Sequence, residues 1–378
     1  MNAATLQVKD NAIAPTLYMA MELSNKQWKL VFGDGVKRRR VTIEAGHREQ
    51  LCEAVGKARE KFHLPETVPV VSCYEAGRDG FWLHHYLVSL GIENQVVDSS
   101  SIEVNRRGRR AKTDRIEGDK LLTMLMRYWG GERDLWSGVQ IPSVEQEDAR
   151  RLHRELERLK SERTGHRNRL QGLLVAQGIR LKPGRDFLAR LEKVSLWDGR
   201  ALPTGLKGEL EREYKRLRVV EEQLRALEKI QDERLAEAQT AAMRQVLQLM
   251  GLCGIGKASA WVFVMEFFGW RRFRNRREVG ALAGLTGTPY DSGDSQRDQG
   301  ISKAGNRRVR TLIIEIAWSW LRYQPQSKLS LWFKERFAGG GKRMRRIGIV
   351  ALARRLLIAL WHYSQHGLLP EGAQLKAT

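Results

Sequence analysis

Ser292 and the cationic segment that follows it are the residues of this sequence best suited to chemistry on a phosphodiester. Ser292 precedes Gly293 in a stretch rich in turn-forming residues, and residues 303–310 are strongly basic. A neighbouring glycine leaves the hydroxyl exposed and lets a large substrate approach the backbone, while the positive charge attracts a phosphodiester. The pattern predicts a serine nucleophile that acts on DNA. The alternative is an ordinary Ser-Gly turn.

Four carboxylates in the first third of the chain could hold metal ions. Glu22 interrupts an apolar run, and Glu75 ends another. Asp114 and Glu117 are three residues apart, so both lie on one face at the start of a predicted helix. Carboxylates at strand ends and a helix start can bind Mg²⁺, and two such ions about 3.5–4 Å apart stabilise both reacting oxygens in phosphodiester cleavage. Alternatively, the helix acids complement the helix dipole and Glu22 points out of an edge strand; Asp119 is a further candidate ligand.

The overall charge of the chain indicates a polyanionic partner. Lys and Arg number 66 against 44 Asp and Glu, which gives a net charge of +22 and a pI near 10.2. Such an excess favours nucleic acid or an anionic membrane. No apolar run approaches the roughly 20 residues that span a bilayer, the start lacks a signal-peptide core, and the 3 cysteines suit neither a disulfide framework nor a zinc finger. We therefore expect a soluble nucleic-acid-binding protein of a reducing cytoplasm, with no membrane partner.

A glycine-rich turn and several basic runs provide candidate contacts to phosphates. Gly254 and Gly256 precede an apolar helix, as in a helix-hairpin-helix turn whose backbone N–H groups contact a phosphate; a tight turn without a ligand is the alternative. Basic runs lie at 37–40, 106–110, 271–277 and 342–346, and any single one could be an ordinary solvated surface. The candidate nucleic-acid contacts are Arg106, Arg107, Arg109, Arg110, Lys112, Gly254, Gly256, Lys257, Arg271, Arg272, Arg274, Lys303, Asn306, Arg307 and Arg308.

The order of patterns predicts an α/β region followed by helices. Strand patterns with a hairpin turn open residues 17–43, and helices then alternate with strands as far as residue 129. The opening hairpin favours a mixed sheet over a purely parallel one. Residues 144–240 carry leucines at coiled-coil spacing, with Arg163 and His166 at two of the apolar positions. An antiparallel hairpin, a dimerising zipper, or both fit that pattern.

Three domains follow from these patterns. We expect an acidic α/β domain at 1–142, a coiled-coil hairpin at 143–242 with an inserted loop at 180–205, and an all-α domain at 243–378 that carries the serine. The predicted fold class is therefore α/β plus all-α.

The motifs, taken in order, are Tyr74-Glu-Ala-Gly, Lys112-Thr-Asp-Arg-Ile, Gly254-Ile-Gly, Ala283-Gly-Leu and Ser302-Lys-Ala-Gly-Asn-Arg-Arg. Together they resemble the DEDD-type insertion-sequence transposases of the IS110 family, and within it the IS1111 subgroup, over about residues 17–363. The resemblance implies an N-terminal RuvC-like (ribonuclease-H-like) fold, a long antiparallel coiled coil and a helical C-terminal domain with a nucleophilic serine.

The resemblance also implies roles for individual residues. By motif, the four acidic positions are Glu22, Glu75, Asp114 and Glu117, which would bind Mg²⁺, and the nucleophile is Ser292. The first and fourth acidic positions are usually aspartate in the family. Glutamate here reaches one methylene further and has more rotamer freedom to lose, which leaves open a reduced activity or a different ligand such as Asp119.

The family further implies nucleic-acid partners and an oligomer. A structured non-coding guide RNA from the element's own end would pair with donor and target DNA while the protein holds the backbones. The acidic and serine domains would form a composite site in a homodimer or tetramer. We therefore expect an RNA-guided recombinase that excises and inserts its mobile element by covalent serine–phosphodiester exchange assisted by Mg²⁺. The resemblance places it in the bacterial cytoplasm, nucleoid-associated when bound to DNA. The alternatives are a metal-dependent nuclease of the junction-resolvase type, without a covalent intermediate, and a catalytically eroded nucleic-acid-binding protein.

Overall fold

The computed structural model describes residues 14–77, 79–102, 114–292 and 295–377. The predicted contacts Arg106, Arg107, Arg109, Arg110 and Lys112 lie outside these ranges. The chain divides between Ile141 and Pro142 into two compact units, and each is described by itself.

A five-stranded sheet forms the centre of the N-terminal unit. Its strands are β1 (Leu17–Leu23), β2 (Gln27–Gly33), β3 (Arg38–Glu44), β4 (Val70–Glu75) and β5 (Glu93–Val97). They lie in the order β3-β2-β1-β4-β5; β1, β2 and β3 are antiparallel neighbours, whereas β1, β4 and β5 are parallel. The mixed sheet expected from the opening hairpin is confirmed.

Helices cover both faces of this sheet. They are α1 (Arg48–Phe62), α2 (Trp82–Ser89) and α3 (Asp114–Trp129). In β1, Leu17, Met19 and Met21 pack with α1 and α2, whereas Tyr18 and Ala20 pack with α3. Because β1 is buried on both sides, its sequence is almost continuously apolar instead of alternating.

Two long antiparallel helices open the C-terminal unit. After the short α4 (Val144–Ala149) come α5 (Arg151–Val175), α6 (Phe187–Leu191) and α7 (Thr204–Glu237). Ion pairs join Lys160 to Glu228 and Arg167 to Glu221, so later residues of α5 meet earlier residues of α7. Most leucines of the predicted register are buried, among them Leu152, Leu156 and Leu159 of α5 and Leu210, Leu217 and Leu224 of α7.

Two features of this helix pair differ from a simple leucine seam. His166 lies 2.8 Å from Glu213, which also pairs with Arg169 and Arg216. Burial raises the pKa of Glu213, but the hydrogen bonds with His166, Arg216 and Arg169 outweigh burial and leave the pKa below its usual value. The connection predicted as a loop instead contains α6, which packs with α5 and α7 in a small hydrophobic cluster where Phe187 stacks on Tyr214 at 4.9 Å.

The rest of the C-terminal unit is mostly helical. Its elements are α8 (Ala241–Met250), α9 (Lys257–Phe263), a π-helical segment (Val264–Phe268), α10 (Arg276–Leu282), β6 (Gly287–Ser292), β7 (Ser295–Ile301), α11 (Arg307–Tyr323), α12 (Lys328–Phe337) and α13 (Lys342–His366). The expectation of an all-α domain is therefore wrong, since β6 and β7 form an antiparallel hairpin. The basic segment 342–346, expected as part of a flexible loop, begins α13.

Within the described residues, α13 alone is long and apolar enough to cross a membrane, although we expected no such run. Leu352, Leu356 and Leu360 of this helix are fully buried in the core of the C-terminal unit. The apolar composition of α13 is thus explained by its central place in this core.

Candidate functional site

Glu22 and Glu75 lie side by side at one edge of the central sheet. The last paired residues of the parallel strands β1 and β4 are Met21 and Tyr74, and the two glutamates are the next residues along. Neighbouring strands are about 4.8 Å apart. Because side chains alternate between faces, both glutamates belong to the face that packs against α3.

The first turn of α3 lies at this same edge. A Cβ added to Gly118 of α3 would be 2.9 Å from Val31 of β2, so the helix and the sheet touch closely here. One turn later, Leu122 packs against Gly33 at the end of β2. α3 therefore runs in the direction of β2 and opposite to β1, which places its N-terminal turn where β1 ends.

The backbone thus brings the four predicted acids to one place, which we call the acidic edge: Glu22, Glu75, Asp114 and Glu117. Glu75 is exposed, whereas one carboxylate oxygen of Glu22 is shielded from solvent. Oxygen donors at such an edge fit Mg²⁺ chemically. In the described part of the chain, no three carboxylate, histidine or cysteine groups lie close enough to coordinate one ion.

Asp119, the alternative ligand, has a different partner. Its carboxylate accepts two hydrogen bonds from Arg40 of β3, at 3.0 and 2.5 Å. The hydrogen bonds that Arg40 donates to Asp119 raise the pKa of the Arg40 guanidinium. Asp119 therefore connects α3 to β3, and its role as a metal ligand stays an alternative prediction.

Ser292 is the last residue of β6 and lies opposite Ser295, the first residue of β7. The two residues that join these strands lie outside the described ranges. The serine predicted to lie in a loop is therefore at the tip of a β-hairpin.

The base of this hairpin is locked by two glycines. Gly284 and Gly305 both have positive φ, at +69° and +81°. A Cβ on Gly284 would overlap the carbonyl oxygen of Ala304, and one on Gly305 would overlap that of Leu282. The backbone N–H of Asn306 donates to Leu282 at 2.8 Å. The Ala-Gly-Leu and Ser-Lys-Ala-Gly-Asn motifs therefore pack directly against each other, and only glycine fits at the two contact points.

A buried carboxylate ties the hairpin base to α5. Glu266, in the π-helical segment, lies 2.8 Å from His153 and accepts two hydrogen bonds from Arg154, at 2.7 and 2.9 Å. The side-chain amide of Asn306 donates to it at 3.3 Å. Burial raises the pKa of Glu266, but the bonds from His153 and Arg154 outweigh burial and hold the pKa well below its usual value.

Two further arginines flank this cluster. The guanidinium groups of Arg150 and Arg271 lie 5.0 and 4.4 Å from the ring centre of Trp270. Burial and the nearby Arg150 lower the pKa of Arg271 to about 10. Arg271, predicted as a nucleic-acid contact, therefore packs within a largely buried cation–aromatic cluster.

The helix-hairpin-helix-like turn is held by contacts within the protein. Gly254 has a φ of +88°, and Gly256 is the N-cap of α9. Lys257 forms an ion pair with Asp232 at 2.5 Å. Lys376 donates to the carbonyl oxygens of Met250 and Ile255.

The remaining predicted contacts mostly lie on the surface. Lys303 and Arg307 are exposed, and Arg308 pairs with Glu157 at 2.7 Å. Asn306 has an internal role, because its side chain also accepts a hydrogen bond from Val309 and caps α11. Arg272 and Arg274, the last two predicted contacts, are exposed as well.

Sequence reasoning missed Glu266, His153, Arg154 and Arg150. A signal was present, since Glu266 is the single acid in the apolar run Trp261–Trp270, the same kind of interruption that drew attention to Glu22.

Comparison with known proteins identifies the family. The description "Transposase IS116/IS110/IS902 family" matches residues 247–330. The protein y4rJ of Sinorhizobium fredii, named as a transposase, is 41% identical over 95% of this chain and 94% of its own length. The chain belongs to this family. A transposase for insertion sequence element IS1111A of Coxiella burnetii is 30% identical over 59% of this chain and 60% of its own, and a family 20 transposase of Pseudomonas aeruginosa is 33% identical over 49% and 54%.

Family membership assigns this transposase to the enzymes of DNA transposition. The matched segment runs from α8 into α12 and includes Glu266, the locked base and the serine hairpin. The family pattern therefore coincides with the part of the C-terminal unit that positions Ser292.

Proposed function

We propose that this transposase is an RNA-guided recombinase that excises and inserts its own element through a covalent bond between Ser292 and DNA. The observation that carries the proposal is the position of Ser292 at the tip of a hairpin with a locked base. A nucleophile needs a fixed position, which the locked base supplies. A hairpin tip is also a place that a large substrate can approach.

The proposed reaction consists of two transfers at phosphorus. The Oγ of Ser292 attacks a DNA phosphate, and one phosphodiester P–O bond breaks. The serine proton is lost to a base as the new bond forms, and the leaving deoxyribose oxygen takes up a proton. In the second transfer, a deoxyribose hydroxyl of the other DNA attacks the phosphoserine, and the serine hydroxyl is restored.

The acidic edge is the proposed Mg²⁺ site of the same enzyme. The strand order and the acids at the ends of β1 and β4 support a RuvC-like domain. The four carboxylates would hold the ion, and bound Mg²⁺ would act as a Lewis acid toward phosphate oxygens. The glutamates at positions 22 and 117 supply the same oxygen donors as aspartate with a longer reach.

We further propose that the partners are donor DNA, target DNA and a guide RNA, bound in the bacterial cytoplasm by a homodimer or tetramer. The net charge of +22 supports this set of partners, because a protein that holds several nucleic-acid backbones must neutralise many phosphates.

A covalent-adduct assay tests the proposal. The purified protein is incubated with element-end RNA, matching donor and target DNA and Mg²⁺, and denaturing gels reveal protein–DNA adducts. We expect an adduct with the wild-type protein and with Ser295→Ala, the matched control from the opposite strand, and none with Ser292→Ala. Recombination by Ser292→Ala would overturn the role of the serine.

The acidic edge also favours a second candidate, a metal-dependent nuclease in which water attacks the phosphate. This candidate predicts DNA that is cut but not joined, without an adduct, in both serine variants. Binding without cutting would instead indicate an eroded site.

A further inference from the structure

A broad groove in the C-terminal unit runs from the hairpin base to α12 and α13. It has a volume of about 1620 Å³ and is lined by Gly287, Gly300 and Lys303 at the base of the hairpin and by residues of α10, α12 and α13. Small-molecule sites usually measure about 300–1000 Å³. The size of the groove therefore fits an extended ligand.

The walls of the groove are cationic throughout. Every charged side chain that lines it is an arginine or lysine, and no described carboxylate does. None of these cations forms an ion pair with another described residue. Such a field attracts a polyanion.

The beginning of α13 is charged against its own dipole. Lys342, Arg343, Arg345 and Arg346 lie in its first turn and a half, with no acid in the first turn and no side-chain cap at Gly341. Cations at a helix N-terminus are unfavourable. A bound anion would relieve this repulsion.

The floor of the groove is apolar and aromatic. Trp332 of α12 lies beneath the guanidinium of Arg355 at 3.9 Å, and Ile347 of α13 is 52% exposed. A duplex presents phosphates to a protein surface and would leave such a floor uncovered. An unpaired strand can place phosphates on the basic walls and bases on the apolar floor.

We propose that this groove binds an unpaired DNA strand next to the serine hairpin. The strand β6 leads from the groove at Gly287 to Ser292, a length of about 17 Å at 3.3 Å per residue. A strand in the groove therefore lies within a few nucleotides of the hairpin tip. The inference rests on the proposed function, because it names the form of DNA that the recombinase would hold.

Equilibrium binding of the full-length protein tests the groove. The probes are a fluorescent oligonucleotide about 15 nucleotides long and the duplex of the same sequence. We expect tighter binding of the single strand. The Arg343→Gln/Arg346→Gln variant should lose at least about tenfold in affinity, with a salt-dependence slope smaller by about 1.4. Its melting temperature should stay the same or rise, since two cations leave a helix start.

Two further variants complete the test. Ile347→Ser should weaken binding of the single strand more than that of the duplex, with the salt slope unchanged. The matched control Arg180→Gln/Lys182→Gln, which removes two exposed cations that do not line the groove, should bind like the wild type. Equal affinity for both probes, or wild-type affinity of the Arg343/Arg346 variant, would overturn the inference. The inference is also overturned if the wild type binds no single strand but self-associates, and the Arg343/Arg346 variant does not self-associate. The groove would then bind a second copy of the chain.

The Ser292→Ala variant separates this inference from the proposed function. It should bind the single strand with wild-type affinity although it forms no adduct. If the wild type forms no adduct but binds unpaired DNA through the groove, the proposed function fails and the groove stands. If adducts form but the Arg343/Arg346 and Ile347 variants bind the single strand like the wild type, the groove inference fails and the proposed function stands.

Discussion

At the scale of single residues, Glu266 joins three parts of the C-terminal unit. Its carboxylate meets α5 through His153 and Arg154 and the hairpin base through Asn306. Cations outnumber the acid in this cluster, because Arg150 and Arg271 also lie nearby. Loss of the acid therefore removes a negative charge that stabilises Arg154, Arg150 and Arg271.

We expect Glu266→Gln to lower the free energy of unfolding by about 3 kcal/mol, because breaking a buried ion pair is strongly destabilising. Chemical denaturation measures this change. The control Glu157→Gln removes a surface pair with Arg308 and should cost at most about 1 kcal/mol. Equal effects of the two substitutions would contradict the importance of the cluster.

The same variant should change the pH dependence of stability. The pKa of Glu266 lies below its usual 4.5 in the folded protein, so the unfolded chain takes up the proton first as pH falls. The contribution of Glu266 is therefore complete above about pH 4.5 and declines below it. We expect the wild type to lose more stability than Glu266→Gln on acidification, as measured by denaturation at a series of pH values.

The acidic edge gives a matched pair of carboxylate substitutions. Glu75→Gln should lower strand transfer at least about 100-fold, because a Mg²⁺ site contributes several kcal/mol to the transition state. Asp119→Asn breaks only the pair with Arg40 and should retain activity with a stability change within about 1 kcal/mol. Comparable loss of activity in both variants would instead make Asp119 a ligand.

At the scale of elements, the locked base accounts for two glycines of the Ala-Gly-Leu and Ser-Lys-Ala-Gly motifs. Gly284→Ala should lower the melting temperature more than Gly300→Ala does. Both positions have positive φ, which costs a non-glycine residue about 1–2 kcal/mol. Only at Gly284 would the added Cβ also overlap backbone. Thermal unfolding measures the two melting temperatures, and a larger decrease for Gly300→Ala would contradict the importance of the close backbone contact at Gly284.

The strand β1 could be predicted because burial on both faces explains its sequence. The run from Leu17 to Leu23 is apolar as a doubly buried strand must be, and the acid within it marked the edge. The direction of α3 relative to β1 could not be predicted, since it depends on the contact of Gly118 with Val31.

The serine hairpin was missed for a physical reason. The glycines and serines of residues 284–305 favour turns locally, but Thr288 and Tyr290 alternate as in a strand, and cross-strand pairing decides the outcome. The first turn of α13 was not predicted to be helical because its run of cations is typical of a solvated loop. Glu266 was missed because its partners in α5 are more than 100 residues away in sequence.

At the scale of the whole molecule, each unit has hydrophobic clusters of its own. We expect a fragment of residues 142–378 to fold alone, with a cooperative thermal transition and the helical circular dichroism of α5, α7 and α13. It should not catalyse recombination, because it lacks the acidic edge. A fragment that is soluble but unfolded would show that the C-terminal unit depends on the N-terminal one.

The Glu266 cluster also affects the order in which the chain folds. The hairpin base closes over residues 282–306, whereas the bond from Glu266 to His153 closes a loop of 113 residues. Long loops cost more entropy to close and delay the contacts that depend on them. The locked hairpin should therefore form before α5 docks. In that case, loss of the Glu266 bonds accelerates unfolding and leaves the folding rate nearly unchanged.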